Sequence, residues 1–206
     1  MHITLITGSH RPTGNSGRIG RFIEQQIQAD GHTTNLIDLA TTDLPFWDEG
    51  MWGADGLKDK WAEVWQPHAE VLQKSDGVVV VCPEYAGMAS SKLKNVLLLC
   101  SAQELGHKAG FLVTVSSGVG GAYPVAELKA HAVKNNKLVW TPEHLIVRSA
   151  DHMFTDNPPA EHAKSDAYLR SRLTFALGVF YQYAEALTAM RAKDGKLHDD
   201  AFPFGM

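Results

Sequence analysis

The chain has few cysteines, little excess charge and no long apolar run. Its 206 residues include only Cys82 and Cys100, which form no C-x-x-C pair and lie in apolar surroundings. We therefore expect buried thiols rather than a disulfide or a redox couple. The net charge of −4 argues against a nucleic-acid-binding surface, which would show clustered Lys and Arg. The apolar stretches around Val78 and Val96 are too short to cross a membrane.

Several signals that would assign another class of protein are also missing. The first strand starts near residue 3, which leaves no room for a secretory segment, so a cytoplasmic location is expected. Five residues separate Gly8 from Gly14, and Asn15 follows, so the loop is not a P-loop. Cys82 has Met88 six residues later, which excludes a Cys-x5-Arg phosphatase. The histidines lack metal-ligand spacing, and we predict no metal.

Predicted strands and helices alternate along the chain. The third and fourth strands are continuous apolar runs, which indicates burial on both faces, as in parallel sheets. We predict one flavodoxin-like α/β domain over residues 1–206: a three-layer sandwich with a five-stranded parallel sheet of order 2-1-3-4-5. Residues 191–206 are expected to form a loosely held tail. The predicted strands span residues 2–7, 33–39, 77–82, 109–115 and 143–148. The predicted helices span residues 16–29, 58–73, 91–102, 123–135 and 166–191.

The loop of residues 8–16 follows the first strand and leads into a helix. A helix N-terminus supplies backbone amides and a favourable dipole for a phosphate group. Ser9 and Ser16 add hydroxyl donors, Asn15 adds an amide, and Arg11 can bind phosphate oxygens in a forked geometry. Taken alone, the loop is equally consistent with an ordinary turn in which Asn15 or Ser16 caps the helix.

The second loop follows the third strand. Pro83 is expected to end that strand. Glu84, Tyr85, Ala86 and Gly87 can then present backbone donors and one aromatic face to a planar heterocycle. The competing interpretation is a half-buried aromatic beside a solvated acid.

The third loop follows the fourth strand and is rich in glycine. Ser116, Gly118, Gly120 and Gly121 allow the backbone to lie against a ligand, although they could equally form a flexible turn. In a sheet of this strand order, ligands bind beyond the carboxyl ends of the strands where the order reverses. The combination of loops therefore suggests a flavin mononucleotide (FMN) site, with the phosphate on the first loop and the ring beside the other two.

Taken together, these motifs resemble those of the NADPH-dependent FMN reductase family, a group of flavodoxin-like flavoproteins that includes quinone, azo-dye and chromate reductases. The resemblance covers roughly residues 1–150. It implies FMN phosphate on the first loop and the isoalloxazine against residues 83–87 and 116–121. Ala86 stands where many members have Asn, and Ser90-Ser91 where many have Pro. The matching motifs are Gly8-Ser9-x-Arg11, Asn15-Ser16, Pro83-Glu84-Tyr85, Leu93-Lys94-Asn95 and Ser116-x-Gly118-x-Gly120-Gly121.

The resemblance implies an FMN-dependent NAD(P)H oxidoreductase. NADPH or NADH would deliver a hydride to the flavin, and a small acceptor such as a quinone, a free flavin, an azo compound or a metal oxyanion would then remove it. The protein would supply orientation and electrostatics, so we assign no catalytic side chain. The alternatives are a flavodoxin-like electron carrier for a protein partner, which the mild charge disfavours, and a binding module that has lost the flavin.

Four of the five tryptophans lie between residues 47 and 65. Trp61 and Trp65 lie four apart on a predicted helix, which favours a shared buried face. Trp47 and Trp52 lie in a loop, where large aromatics often mark an interface. Members of the resembled family commonly pair, so we expect a homodimer or a dimer of dimers with one of these loop tryptophans at the contact.

Overall fold

The computed structural model describes residues 1–52, 59–193 and 197. Most of the predicted tail lies outside the described residues. The strands are β1 His2–Thr7, β2 Thr33–Asp38, β3 Gly77–Tyr85, β4 Met88–Ala89, β5 Ala109–Val115 and β6 Val139–Val147. The helices are α1 Asn15–Ala29, α2 Asp59–Val64, α3 Gln66–Gln73, α4 Ser91–Leu99, α5 Ala102–Leu105, α6 Ala122–His131 and α7 Ala163–Lys193, with short 3-10 turns at Glu49–Trp52 and Ala150–His152.

The five long strands form one parallel sheet in the order β2-β1-β3-β5-β6. The short β4 pairs antiparallel with the end of β3. If β4 is set aside, this is the predicted order 2-1-3-4-5, and the predicted fold class is confirmed. The order reverses at β1, so β1 and β3 leave a crevice at their carboxyl ends.

Helices cover both faces of the sheet, which explains the continuous apolar strands. Successive side chains of a strand point to opposite faces. Val79 and Val81 therefore pack in the core beneath α1 and α7, and Val78 and Val80 pack in the core beneath the other helices. Every residue of β5 is buried. The apolar runs thus contribute to two separate hydrophobic cores, one on each face of the sheet.

Pro83 does not end β3, contrary to the sequence-based prediction. The strand continues to Tyr85, and Pro83 pairs with Val115 of β5. The carbonyl of Val81 points toward β1, where it accepts the Gly8 amide. Because alternate residues of a strand bond to the same side, the nitrogen of Pro83 faces the edge where β1 has already ended. The Gly8 carbonyl on that side accepts the Ser90 hydroxyl in a short hydrogen bond, so the missing N–H of Pro83 leaves this carbonyl satisfied.

The predicted helix over 58–73 is divided into α2 and α3. Pro67 lies in the first turn of α3, where its missing N–H is tolerated, so the chain starts a new helix after Trp65. Trp61 and Trp65 are 0% and 2% exposed, as the shared buried face required. The helix predicted over 91–102 also ends early, at Leu99, and α5 follows it as a separate turn.

Both cysteines are free and buried. Burial raises the pKa of Cys82 to about 12 and raises that of Cys100 well above its usual value, so neither thiol is a nucleophile at neutral pH. Within the described residues, no helix is long and apolar enough to cross a membrane. The same part of the chain contains no cluster of potential metal ligands.

Candidate functional site

The first loop is organised around the Ser9 hydroxyl. Ser9 is 1% exposed, and its Oγ accepts the Arg11 amide at 3.0 Å. The Arg11 carbonyl in turn accepts the Gly14 amide at 2.9 Å. Arg11 thus shapes the loop through its backbone alone. Its guanidinium is exposed and makes no hydrogen bond or ion pair with any described residue.

The N-terminus of α1 lacks a side-chain cap. Gly14 is the N-cap, rather than Asn15 or Ser16 as one interpretation of the sequence proposed, and no side chain bonds to the first-turn amides. The amides of Asn15 and Ser16 donate to no described group. The Ser16 hydroxyl makes no hydrogen bond either, although the residue is only 1% exposed. First-turn donors without partners are ordinarily satisfied by a cap, by water or by a ligand.

The Asn15 side chain is occupied by a contact that sequence reasoning missed. Its amide donates to Asp151 Oδ1 at 2.8 Å, and this bond is the largest cause of the lowered pKa of Asp151. Arg18 reinforces the contact by donating to the carbonyls of Ala150, Met153 and Phe154. The segment after β6 is thus fastened to α1. If Asn15 binds a phosphate, its backbone amide is the free group.

The second loop is a tight hairpin between β3 and β4. Glu84 pairs with Ala89, and Tyr85 pairs with Met88, so Ala86 and Gly87 alone form the turn. Their φ angles are +51° and +76°, and two positive values are the mark of a type I′ turn. Asn suits the first of these positions better than Ala because its side chain tolerates left-handed backbone. Ala86, where many members of the resembled family have Asn, therefore differs from them in how well the residue tolerates left-handed backbone.

Tyr85 joins the second loop to the first. Its hydroxyl lies 3.0 Å from Ser9 Oγ, and its ring centroid lies 4.9 Å from that of His10. The structure therefore places Tyr85 on the phosphate-loop side of the crevice, and the two predicted loops form one continuous surface.

The third loop contacts the second through a carboxylate. Glu84 Oε2 accepts the Gly121 amide in a short hydrogen bond, and the Gly121 carbonyl accepts the Thr114 hydroxyl at 2.7 Å. A Cβ at Gly120 would overlap the Glu84 carboxylate, so only glycine allows this approach. Tyr123, which is 72% exposed, stands beside the Gly87 turn. It is an unpredicted aromatic wall of the same crevice.

The Leu93-Lys94-Asn95 motif positions neighbouring segments. Asn95 Oδ1 accepts the Trp47 amide at 2.8 Å, and its Nδ2 donates to the Pro45 carbonyl at 2.9 Å. Lys94 binds Glu127 at 2.9 Å, and Glu127 also accepts the Ala89 amide. Burial opposes ionisation of Glu127, but these two donors outweigh it and lower the pKa of Glu127. The motif thus fastens the hairpin and the residue 45–47 loop to α4.

The predicted loops therefore line one crevice at the carboxyl ends of β1, β3 and β5. The first loop offers backbone amides, a hydroxyl and an exposed guanidinium, a donor set that suits a phosphate dianion. The second and third loops offer a turn, a glycine-rich backbone and an exposed aromatic ring, which suit a flat heterocycle. The residues present fit FMN, because phosphate donors and the slot for a ring are joined through Ser9 and Tyr85.

Comparisons with known proteins identify relatives of this chain. Residues 1–152 match the model of a family described as NADPH-dependent FMN reductase. An NADPH azoreductase from Bacillus sp. (strain OY1-2) is 30% identical over 121 residues, which cover 59% of this chain and 62% of that protein. A quinone reductase from Escherichia coli (strain K12) is 30% identical over 126 residues, which cover 59% of this chain and 64% of that protein. Each match therefore spans less than two thirds of the relative's length.

Solved structures share the fold. The flavoenzyme NAD(P)H:(acceptor) oxidoreductase FerB from Paracoccus denitrificans has a TM-score of 0.66 at 19% identity, covering 90% of this chain and 97% of that one. The apo form of an NADH:FMN oxidoreductase has a TM-score of 0.62 at 14% identity, covering 98% and 96%. At such identities the likeness shows the fold alone. The family match over residues 1–152 goes further, and the chain belongs to the NADPH-dependent FMN reductase family.

Proposed function

We propose that the protein is an FMN-dependent NAD(P)H oxidoreductase that reduces a small acceptor. The observation that carries the proposal is the set of unpartnered donors at the start of α1. The amides of Asn15 and Ser16, the Ser16 hydroxyl and the Arg11 guanidinium have no partner among the described residues. They lie beside a hairpin and a glycine-rich loop that fit a ring. Family membership supports the same cofactor and cosubstrate.

In this proposal each loop has a distinct task. FMN, when bound, supplies the capacity to take a hydride from a nicotinamide and pass it to a second substrate. Ser9, Arg11, Asn15 and Ser16 hold the phosphate. Residues 83–87 and 116–121 fix the plane of the ring, and the Glu84–Gly121 hydrogen bond sets the spacing between these two segments.

No buried acid or base is aimed into the crevice from the described residues, and none is required. Donor and acceptor would use the same opening in turn. The outer wall, formed by Tyr123 and the glycine-rich loop, is exposed, which suits the exchange of flat substrates such as quinones and azo compounds. One relative of this chain is an azoreductase and another is a quinone reductase.

The direct test is steady-state turnover by the purified protein with FMN. We expect continuous NADPH oxidation when a quinone or an azo dye is added, with parallel-line kinetics because the two substrates alternate at one site. A flavodoxin-like carrier would bind FMN but oxidise NADPH only when a separate reductase is present. That result would replace the enzyme assignment with the alternative.

We also propose that the chain assembles as a homodimer or a dimer of dimers and works in the cytoplasm. Support for assembly comes from the surface beside α4. Phe46, Trp47 and Leu98 are 74%, 38% and 54% exposed, and Trp47 and Leu98 border a groove of about 660 Å³ between α4 and α6. Exposed apolar residues around a groove are typical of subunit contacts. The side chain of Trp52 lies outside the described part.

Light scattering tests the assembly. The wild type should run as a dimer or larger species at micromolar concentration, and Trp47→Ala should weaken that association. Tyr183→Ala, which removes an aromatic of similar exposure on α7, is the matched control and should leave the mass unchanged. A monomeric wild type would refute the assembly.

A further inference from the structure

A second cavity lies beside the crevice, between the end of β6 and the first turns of α7. Its volume is about 380 Å³, which is within the range of small-molecule sites. Its apolar lining comes from Ile146, Met153 and Leu169. Its polar lining comes from Arg148, Ser149, His162, Lys164, Ser165 and Tyr168.

The charge in this cavity is uncompensated. Neither Arg148 nor Lys164 forms an ion pair within the described part of the chain. Two carboxylates of the same segment are engaged elsewhere: Asp166 binds Arg170 at 2.6 Å, and Asp151 accepts the Asn15 amide. The lining therefore contains two cations and a histidine but no carboxylate, which favours an anionic ligand.

Arg148 is oriented for binding rather than loosely exposed. Its Nε donates to the carbonyls of Val119 and Gly120 at 2.7 and 2.9 Å, which fixes the plane of the guanidinium. Its two Nη groups make no hydrogen bond with the described residues. The next residue, Ser149, has φ +47° and ψ +44° and donates its amide to the Gly118 carbonyl at 2.9 Å. Left-handed backbone at a non-glycine residue is strained, and such positions cluster at binding sites.

The cavity and the ring slot share a wall. Arg148 and Ser149 hold one side of the glycine-rich loop, and Glu84 holds the other side through Gly121. Because β6 is separated from β3 only by β5, the strands that carry the two sites are about two strand spacings apart, roughly 10 Å. A dinucleotide whose nicotinamide stacks on the exposed face of the bound isoalloxazine can cross this loop and place its adenosine end in the cavity.

The chemistry of the lining favours an adenosine that carries a phosphate group. Arg binds phosphate in a forked geometry, and Lys and serine hydroxyls add donors. Tyr168, 67% exposed at the rim, offers a flat face to a purine. We propose that this cavity binds the 2′-phosphate of NADPH and so makes the protein prefer NADPH to NADH. The inference rests on the proposed function, because it assigns a site to that reaction's cosubstrate.

Binding of adenosine fragments to the FMN-saturated protein tests the site without turnover. Adenosine 2′,5′-bisphosphate should bind about tenfold more tightly than adenosine 5′-monophosphate by calorimetry, as one lost charged hydrogen bond would produce. Lys164→Glu should abolish that difference. Lys74→Glu, the same charge change at the opposite end of the sheet, should preserve it. Equal binding of the two nucleotides by the wild type would overturn the proposal, as would inorganic phosphate binding as tightly as the bisphosphate.

Kinetics provide a second readout. Lys164→Glu should raise KM for NADPH about tenfold and leave kcat and KM for NADH unchanged. If KM rose equally for NADPH and NADH, the cavity would not bind the 2′-phosphate. Failure of the proposed function would look different, because the protein would then take up no FMN or oxidise neither nucleotide. The calorimetric comparison would still decide the cavity, because it can be made on the FMN-free protein if no FMN binds.

Discussion

Arg11→Ala isolates the contribution of one charge to FMN binding. The Arg11 backbone shapes the first loop through Ser9 and Gly14, and alanine keeps those hydrogen bonds. Its guanidinium makes no hydrogen bond or ion pair with any described residue, so its removal should leave the free energy of unfolding of the apoprotein unchanged. A hydrogen bond to a charged group contributes about 1.5–3 kcal/mol. Because the guanidinium is exposed, we expect the lower value, a loss of FMN affinity of about tenfold.

Fluorescence titration with FMN and with riboflavin provides the assay. Riboflavin lacks the phosphate, so Arg11→Ala should leave its affinity unchanged. Arg21→Ala is the matched control. It removes a second exposed arginine, which lies on α1 and pairs with Asp38 at 3.2 Å, and FMN affinity should stay unchanged. An equal loss for FMN and riboflavin in Arg11→Ala would refute the assignment of the phosphate to this loop.

Three further variants test the geometry of the site and its support. Ala86→Asn should stabilise the apoprotein by about 0.5–1 kcal/mol in urea unfolding, since Asn relieves the left-handed strain of the hairpin turn; no gain would contradict the type I′ assignment. Gly120→Ala should displace Glu84 and weaken FMN binding. Gly118→Ala, whose added methyl group enters open space, should leave FMN binding unchanged. Equal FMN affinities of the two variants would show that the Glu84 contact does not support the site. Burial lowers the pKa of Lys108 to about 8, so the unfolded state binds more protons between about pH 8 and 10, and this residue's contribution to stability rises with pH. Relative to Lys108→Met, the wild type should gain about 2 kcal/mol from pH 7.5 to 9.5, and parallel pH profiles would refute the shift.

The sequence predicts the sheet well because its signals are local. Continuous apolar runs mark β3 and β5 as doubly covered, and the predicted bounds of β1 and β5 agree with the structure. The three loops follow strand ends, so the parallel order alone brings them to one edge. The order, the fold class and the family are confirmed. The individual site residues stay predictions.

What the sequence could not predict depends on partners distant in the chain. The side chain of Asn15 is bonded to Asp151, 136 residues away, and no local pattern links a capping candidate to that carboxylate. Pro83 continues a strand only because β1 ends at Thr7, which is a property of the register. The turn at Ala86 is hidden because alanine carries none of the usual signals of a type I′ hairpin.

The most direct measurement of the central claim is titration of the apoprotein with FMN, followed by absorbance and by equilibrium dialysis. We expect one FMN bound per chain, with riboflavin binding weaker by about tenfold or more because the donors of the α1 N-terminus and Arg11 act on the phosphate. A protein that takes up no FMN, or that binds riboflavin as tightly as FMN, would contradict it.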